Sequence, residues 1–332
     1  MRLGFVLAGA AALPAAEFAE TVRETEARGY HTAWTGETGG YDAIAVMAAI
    51  LARSTRLNVG SAVVPVQTRT PTLLGMSAAA LGHLAPGRVA LGIGLSSRII
   101  VEQWHGLKYS AALAQIREAV QIIRLVAAGE RVNFEGEFYR VKNFRLSAPA
   151  APVRIVLAAL GPEMLELAGE IADGVVLNWI PPEAVPASIA HLEAGARRAG
   201  RTLEGFEIAC FIRTCVTDDV ATARAALARD ITGYAIVDVY ASFFRTAGFG
   251  AEVDAVNRRW RAGDRAGAVG EISPRVLDGL GVVGDEAFCR ARLDAFARTG
   301  LTMPVVLPFN PAATAGGDPR PALLRTLRAF GA

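Results

Sequence analysis

The sequence predicts an α/β fold, a (β/α)8 (TIM) barrel with insertions. Three observations carry this prediction. Short apolar runs alternate with amphipathic helical stretches along the 332 residues. The runs are apolar on both faces, as strands of a parallel sheet covered by helices must be. About eight such units fit the chain, the number that closes a barrel. A doubly wound open sheet is the runner-up. It is weakened because no Gly-x-Gly-x-x-Gly follows the first run.

The first strand is read at 3–7 and its helix at 15–28, after Pro14. The apolar start with its small residues also has the look of a secretion signal, but the strand reading fits the repeat better, and a cytoplasmic protein is expected. The second unit joins strand 32–37 to helix 43–53, the third joins 57–64 to 71–84, and the fourth joins 89–94 to 111–127. Residues 132–146, VNFEGEFYRVKNFRL, alternate apolar and polar around Glu135-Gly136 and read as a hairpin insertion outside the barrel. The fifth unit is strand 153–160 with helix 162–172, the sixth 174–180 with 182–199, and the seventh 206–217 with 220–232. Residues 233–285 form a long helical insertion, broken by Gly248, Gly250, Gly263, Gly267 and Gly270. Such an insertion is either a lid or interface element or a plain helical pair. Strand 304–309 and helix 319–330 complete the eighth unit. No linker interrupts the pattern, so the chain is read as one domain, 1–332.

Composition narrows the function. The chain is 52% hydrophobic with a net charge of +2, which favours neither nucleic acid nor a membrane surface as partner. No apolar run reaches the length of a membrane span. Cys210, Cys215 and Cys289 have no metal or redox spacing and read as buried free thiols.

A barrel carries its chemistry at the C-terminal ends of its strands. The residues collected there include few ionisable groups: Glu37 is the one carboxylate and Arg69 the one cation. No Ser/His/Asp set and no metal cluster is present, so no metal is expected, and His31, His83, His105 and His191 are scattered. A mouth rich in Gly, Ala, Ser and Trp suits a flat cofactor that brings its own chemistry. The fifth unit adds a question: its helix opens on bare Gly161-Pro162, with no side-chain cap for the backbone N–H groups. Such an end can face water, protein or an anionic ligand.

Four stretches resemble one known family. These are Trp34-Thr35-Gly36-Glu37 with Asp42, then STRLNVGSAVVPVQTRTP (54–71), GRVALGIGLSS with VEQWHG, and GPEMLELAGEIADGVVLN (161–178). In this order and spacing they resemble the bacterial luciferase-like superfamily, in its branch using the deazaflavin coenzyme F420. The last stretch is similar to the methylenetetrahydromethanopterin reductase group. The resemblance covers nearly the whole chain.

It implies a set of roles. The cofactor phosphate would rest on the backbone of Leu160, Gly161, Glu163 and Met164, helped by the helix dipole. A non-prolyl cis peptide at Ala62–Val63 would stand behind the ring. Ser96 and Ser97, after Gly94, would hydrogen-bond the ring or ribityl chain, or else cap a turn. Trp104 and His105 would wall a substrate pocket, and Trp34 and Trp179 would flank the ring. Glu37 would donate a proton or orient substrate. Many relatives place His beside this acid, where this chain has Thr38, which puts His-based proton transfer in doubt. The loop Lys108-Tyr109-Ser110-Ala111 also lacks a proline often seen in relatives. The expected function is an F420-dependent oxidoreductase moving a hydride between deazaflavin C5 and a small organic substrate, in a homodimer. An FMN-dependent monooxygenase is the first alternative, and a degenerate barrel acting as a binding protein the second.

Overall fold

The protein, seen in a computed structural model, is described over residues 2–110, 113–311 and 318–331. Ala111 and Ala112, where the fourth helix is predicted to begin, lie outside the described residues. The strands are β1 (Gly4–Val6), β2 (Thr32–Thr35), β3 (Asn58–Ser61), β4 (Val64–Pro65), β5 (Val89–Gly94), β6 (Val132–Glu135), β7 (Arg140–Phe144), β8 (Arg154–Ala158), β9 (Gly174–Asn178), β10 (Glu207–Val216), β11 (Gly281–Gly284) and β12 (Met303–Pro308). The fold is a (β/α)8 barrel: β12, β1, β2, β3, β5, β8, β9 and β10 follow one another, and β10 pairs with both β9 and β12. These are the eight runs read from the sequence. The chain also divides into two compact units, Val6–Val176 with Ala190–Ile208, and Met1–Phe5 with Leu177–Ile189 and Ala209–Ala332. The divisions fall inside β1, β9, helix Val185–Arg198 and β10.

In the larger unit, close backbone packing is set by small residues. A Cβ on Gly92 of β5 would lie 1.7 Å from the Ser61 carbonyl oxygen, so only glycine fits. The Ser61 hydroxyl completes the contact, donating to the Gly92 carbonyl at 2.9 Å and accepting its N–H at 2.8 Å. Gly60 likewise leaves room for the Trp34 ring, which would come within 2.5 Å of a Cβ there. Helix starts are capped where the sequence supplies a capper. Asp42 accepts the Ala45 N–H at 2.7 Å ahead of helix Ala43–Leu51, and Thr70 accepts the Leu73 N–H ahead of helix Pro71–Leu84. The hairpin β6–β7 packs Val132 on Ile122 and Val126 of helix Leu113–Ala127. Its turn is pinned by Glu118, which accepts the N–H groups of Glu137, Phe138 and Tyr139 at 2.7, 3.0 and 3.0 Å.

The smaller unit holds β1, β12 and β10 in parallel register, Gly4 opposite Val305 and Phe211 also opposite Val305. Its core joins the seventh unit's helix Val220–Ala235 to the insertion: that helix, helices Asp238–Phe244, Gly250–Arg261, Arg265–Gly270 and Pro274–Leu280, and the widened turn Arg245–Phe249 bury Leu227, Ile231, Phe244, Phe249, Val256 and Val276 together. The end of the insertion differs from expectation. Residues 281–284 are a strand, β11, paired in parallel with Arg213–Val216 of β10. Four residues between glycines carry too little periodicity to be separated from a helical run. The three cysteines are free and buried. Burial pushes the Cys210 thiol up to about 12.

Candidate active site

In the larger unit, the loop after β2 is a charged staple. Arg69 Nη2 donates to Glu37 Oε2 at 3.0 Å and also to Asp42, and the Ala43 N–H donates to the same Glu37 oxygen at 3.1 Å. Burial alone would raise the Asp42 carboxyl, but the Ala45 N–H and the Arg69 guanidinium outweigh it and hold the group below its ordinary value. Arg69 is shifted up, its burial outweighed by the two carboxylates. Glu37 therefore sits as one acceptor in a network that fixes the start of helix Ala43–Leu51.

The peptide bond Ala62–Val63 is cis, as the family resemblance implies. The Val63 side chain lies against Gly94, where a Cβ would stand 3.0 Å from Val63 Cγ2. Beyond β5, the Ser96 N–H donates to Gln67 Oε1 at 3.3 Å, and Gln67 Nε2 donates to the Ser110 carbonyl at 3.0 Å. Ser97 Oγ accepts the Ile100 N–H at 3.4 Å, the turn-capping alternative for this residue. Trp104 closes the widened turn Ile99–Trp104, is 56% exposed and lies beside Gly39. His105 is exposed. Trp34 is wholly buried, with its ring against Gly60.

After β8, Gly161 is the N-cap of helix Pro162–Ile171 and no side chain caps it. Its φ of −86° and ψ of 161° suit any residue, and a Cβ there would meet nothing within 4 Å. Three other helices among the described residues share this layout of a cap followed by proline. Thr70-Pro71 and Ser273-Pro274 both cap through the hydroxyl. Pro181-Pro182 has no side-chain cap either, and at Gly161 the uncapped start also faces open space.

The smaller unit carries a cluster that sequence reasoning missed. Arg213, on β10, is 5% exposed, and its guanidinium carbon lies 3.6 Å from the centroid of the Trp179 ring. Its Nη1 donates to Asn178 Oδ1 at the end of β9, and Asn178 Nδ2 donates to Tyr240 Oη at 3.3 Å. Trp179 has a φ of 55° and is 1% exposed; its ring meets Tyr234 at 5.0 Å, and Tyr234 meets Tyr240 edge-on at 4.7 Å. Asp230 is the nearest carboxylate, with its oxygen 3.6 Å from Arg213 Nε, an ion-pair distance too long for a hydrogen bond. Burial lowers Arg213, and burial raises Asp230 against the pull of that cation. Arg69 is thus not the one cation at the strand ends. A lone arginine inside the apolar run 206–217 was the available signal.

No group of three or more potential metal-ligating side chains occurs among the described residues, and none of their helices is long and apolar enough to cross a membrane. Residues 1–303 match the family described as luciferase-like monooxygenase. A Mycobacterium tuberculosis protein provisionally named a coenzyme F420-dependent oxidoreductase is 32% identical over 92% of this chain and 94% of its own length. The 5,10-methylenetetrahydromethanopterin reductase of Archaeoglobus fulgidus is 25% identical over 86% of this chain and 87% of its own. Among solved structures, the coenzyme F420-dependent tetrahydromethanopterin reductase of Methanopyrus kandleri superposes with a TM-score of 0.80 at 19% identity, covering 99% of this chain and 97% of that one.

Proposed function

The chain belongs to the luciferase-like monooxygenase family, and from that premise we propose that it is an oxidoreductase that uses coenzyme F420. It would move a hydride between the deazaflavin C5 and a small organic substrate. The observation that carries this reading is the open helix start at Gly161, where no side chain caps the helix and a Cβ would meet nothing within 4 Å. Open space, N–H groups that no side chain caps and the positive end of a ten-residue helix suit a phosphate.

The residues present fit the cofactor. The backbone of Leu160, Gly161, Glu163 and Met164 would hold the phosphate, and Glu163, exposed, can turn its carboxylate to water. Ala62, Val63 and Gly94 would offer an apolar seat for a flat ring, while Ser96 and Ser97 stand on a loop braced by Gln67. When bound, the deazaflavin supplies the hydride chemistry. The chain positions it and excludes water. Glu37, held by Arg69 and the Ala43 N–H, orients the loop and through it the substrate; its oxygens are acceptors in this arrangement, which favours orientation over proton donation.

Fluorescence titration of the purified chain with F420 and with FMN tests the reading. Tighter binding of F420 is expected. Tighter FMN binding, with oxygen consumed by the reduced flavin, would replace it with the monooxygenase reading.

A further inference from the structure

The cluster of the smaller unit has a surplus of hydrogen-bond donors. An arginine carries donors only, so the oxygen of the Asn178 amide must face Arg213, and its NH2 must face Tyr240. The Tyr240 oxygen is thereby committed as an acceptor. Its own hydrogen has no acceptor among the described residues. Two other donors in the same cluster are buried without a hydrogen bond: Trp179 Nε1, and Arg213 Nε, which has only Asp230 at ion-pair distance. Buried donors left unmatched cost free energy in a folded protein, and native cores rarely keep several together without a reason. The shape of the group is also specified. Edge-on packing against Tyr234 holds the Tyr240 ring, and the bond from Asn178 occupies one side of its oxygen.

We propose that Tyr240, positioned by Asn178 and Arg213, donates a hydrogen bond to the carbonyl oxygen of a small-molecule substrate. The missing partner is an acceptor, which is what a ketone, aldehyde or carboxylate oxygen supplies. The aromatic rings of Trp179, Tyr234 and Tyr240 suit a compact apolar body beside that oxygen. The assignment also gives the insertion 233–285 a role, because helix Asp238–Phe244 carries Tyr240 to the C-terminal end of β9. Calling the ligand a substrate rests on the oxidoreductase reading; the donor site itself does not.

The test uses the whole chain without cofactor and three probes: cyclohexanone, cyclohexanecarboxylate and methylenecyclohexane, which keeps the ring and lacks the oxygen. Binding is read by ligand-observed NMR on the wild type and on Tyr240→Phe, with thermal midpoint and F420 titration beside it. At least one oxygen-bearing probe should bind the wild type better than methylenecyclohexane. Tyr240→Phe should weaken it about tenfold, the worth of one hydrogen bond, with the melting midpoint and the F420 affinity unchanged. Preference for cyclohexanecarboxylate would identify an acid as the natural group, and preference for cyclohexanone a neutral carbonyl. Equal binding to wild type and variant, or no binding of either oxygen-bearing probe, overturns the proposal. A loss of F420 affinity in Tyr240→Phe would also overturn it, since the oxygen would then be the cofactor's. Failure of the wild type to bind F420, with the probe result intact, would fault the cofactor reading alone.

Discussion

Substituting Gly161 separates a ligand-binding helix start from an ordinary one. In Gly161→Asp the new side chain meets no protein atom, and the backbone already has the extended conformation of an N-cap. The chain uses aspartate in this role at Asp42, Asp219, Asp264 and Asp285, each accepting an N–H three residues on. An aspartate here should do the same with the Met164 N–H, so the protein without cofactor should be as stable as wild type or a few tenths of a kcal/mol more stable. Cofactor binding should move the other way. The carboxylate would occupy the N–H groups assigned to the phosphate and place a negative charge beside it. At an effective dielectric of about 20, unit charges about 4 Å apart repel by about 4 kcal/mol before salt screening. If only about 1 kcal/mol survives, affinity still falls roughly fivefold. Gly161→Ser, which caps without charge, should show a smaller loss. The assay is F420 fluorescence titration at low and high salt, paired with a melting curve of the apo-protein. Unchanged affinity in Gly161→Asp would mean that the helix merely starts there and that the phosphate lies elsewhere.

Other substitutions probe the framework. Gly92→Ala should cost several kcal/mol or abolish folding, because its Cβ would fall 1.7 Å from a backbone oxygen; a circular dichroism melt equal to wild type would refute that packing. Glu26 accepts the N–H groups of Thr55, Arg56 and Leu57, and these bonds outweigh burial to hold its carboxyl below its ordinary value. A depressed carboxyl stabilises the fold above its unfolded value and loses that contribution as pH falls through the folded one. The urea midpoint of Glu26→Gln should therefore lie below wild type at neutral pH and converge with it as acid takes the pH through the lowered carboxyl value; a gap that widens in acid would contradict the sign. Cys215 and Cys289 are pushed up by burial to about 11 and about 12, so neither should react with iodoacetamide until the chain is unfolded, as mass spectrometry of native and urea-treated protein would show.

What the sequence revealed and what it hid follow from one physical difference. Strands buried on both faces announce themselves by run length, and all eight barrel strands were legible, from 89–94, which matches β5 residue for residue, to 206–217, which overruns β10 by one residue at each end. β11 was not legible, because Gly281–Gly284 pairs only with the far end of β10 and follows seven helical residues without a break. Local charge contacts were half legible: Glu37 stood out as an acid at a strand end, yet its partner Arg69 lies thirty-two positions away and only folding joins them. Arg213 shows why the remaining site residues escaped. Within Phe206-Glu207-Ile208-Ala209-Cys210-Phe211-Ile212-Arg213 the apolar pattern is so continuous that the cation reads as part of a strand. The pattern itself should have raised the alarm, since a guanidinium carried into a strand buried along its whole length must be paired, stacked or reserved for a ligand. In this protein Arg213 is stacked on Trp179, its Nη1 is bonded to Asn178 and through that amide linked to the hydroxyl of Tyr240, and its Nε has only Asp230 at 3.6 Å. A charge that is only partly answered by its own chain is therefore the feature that most directly separates a binding site from a structural ion pair here.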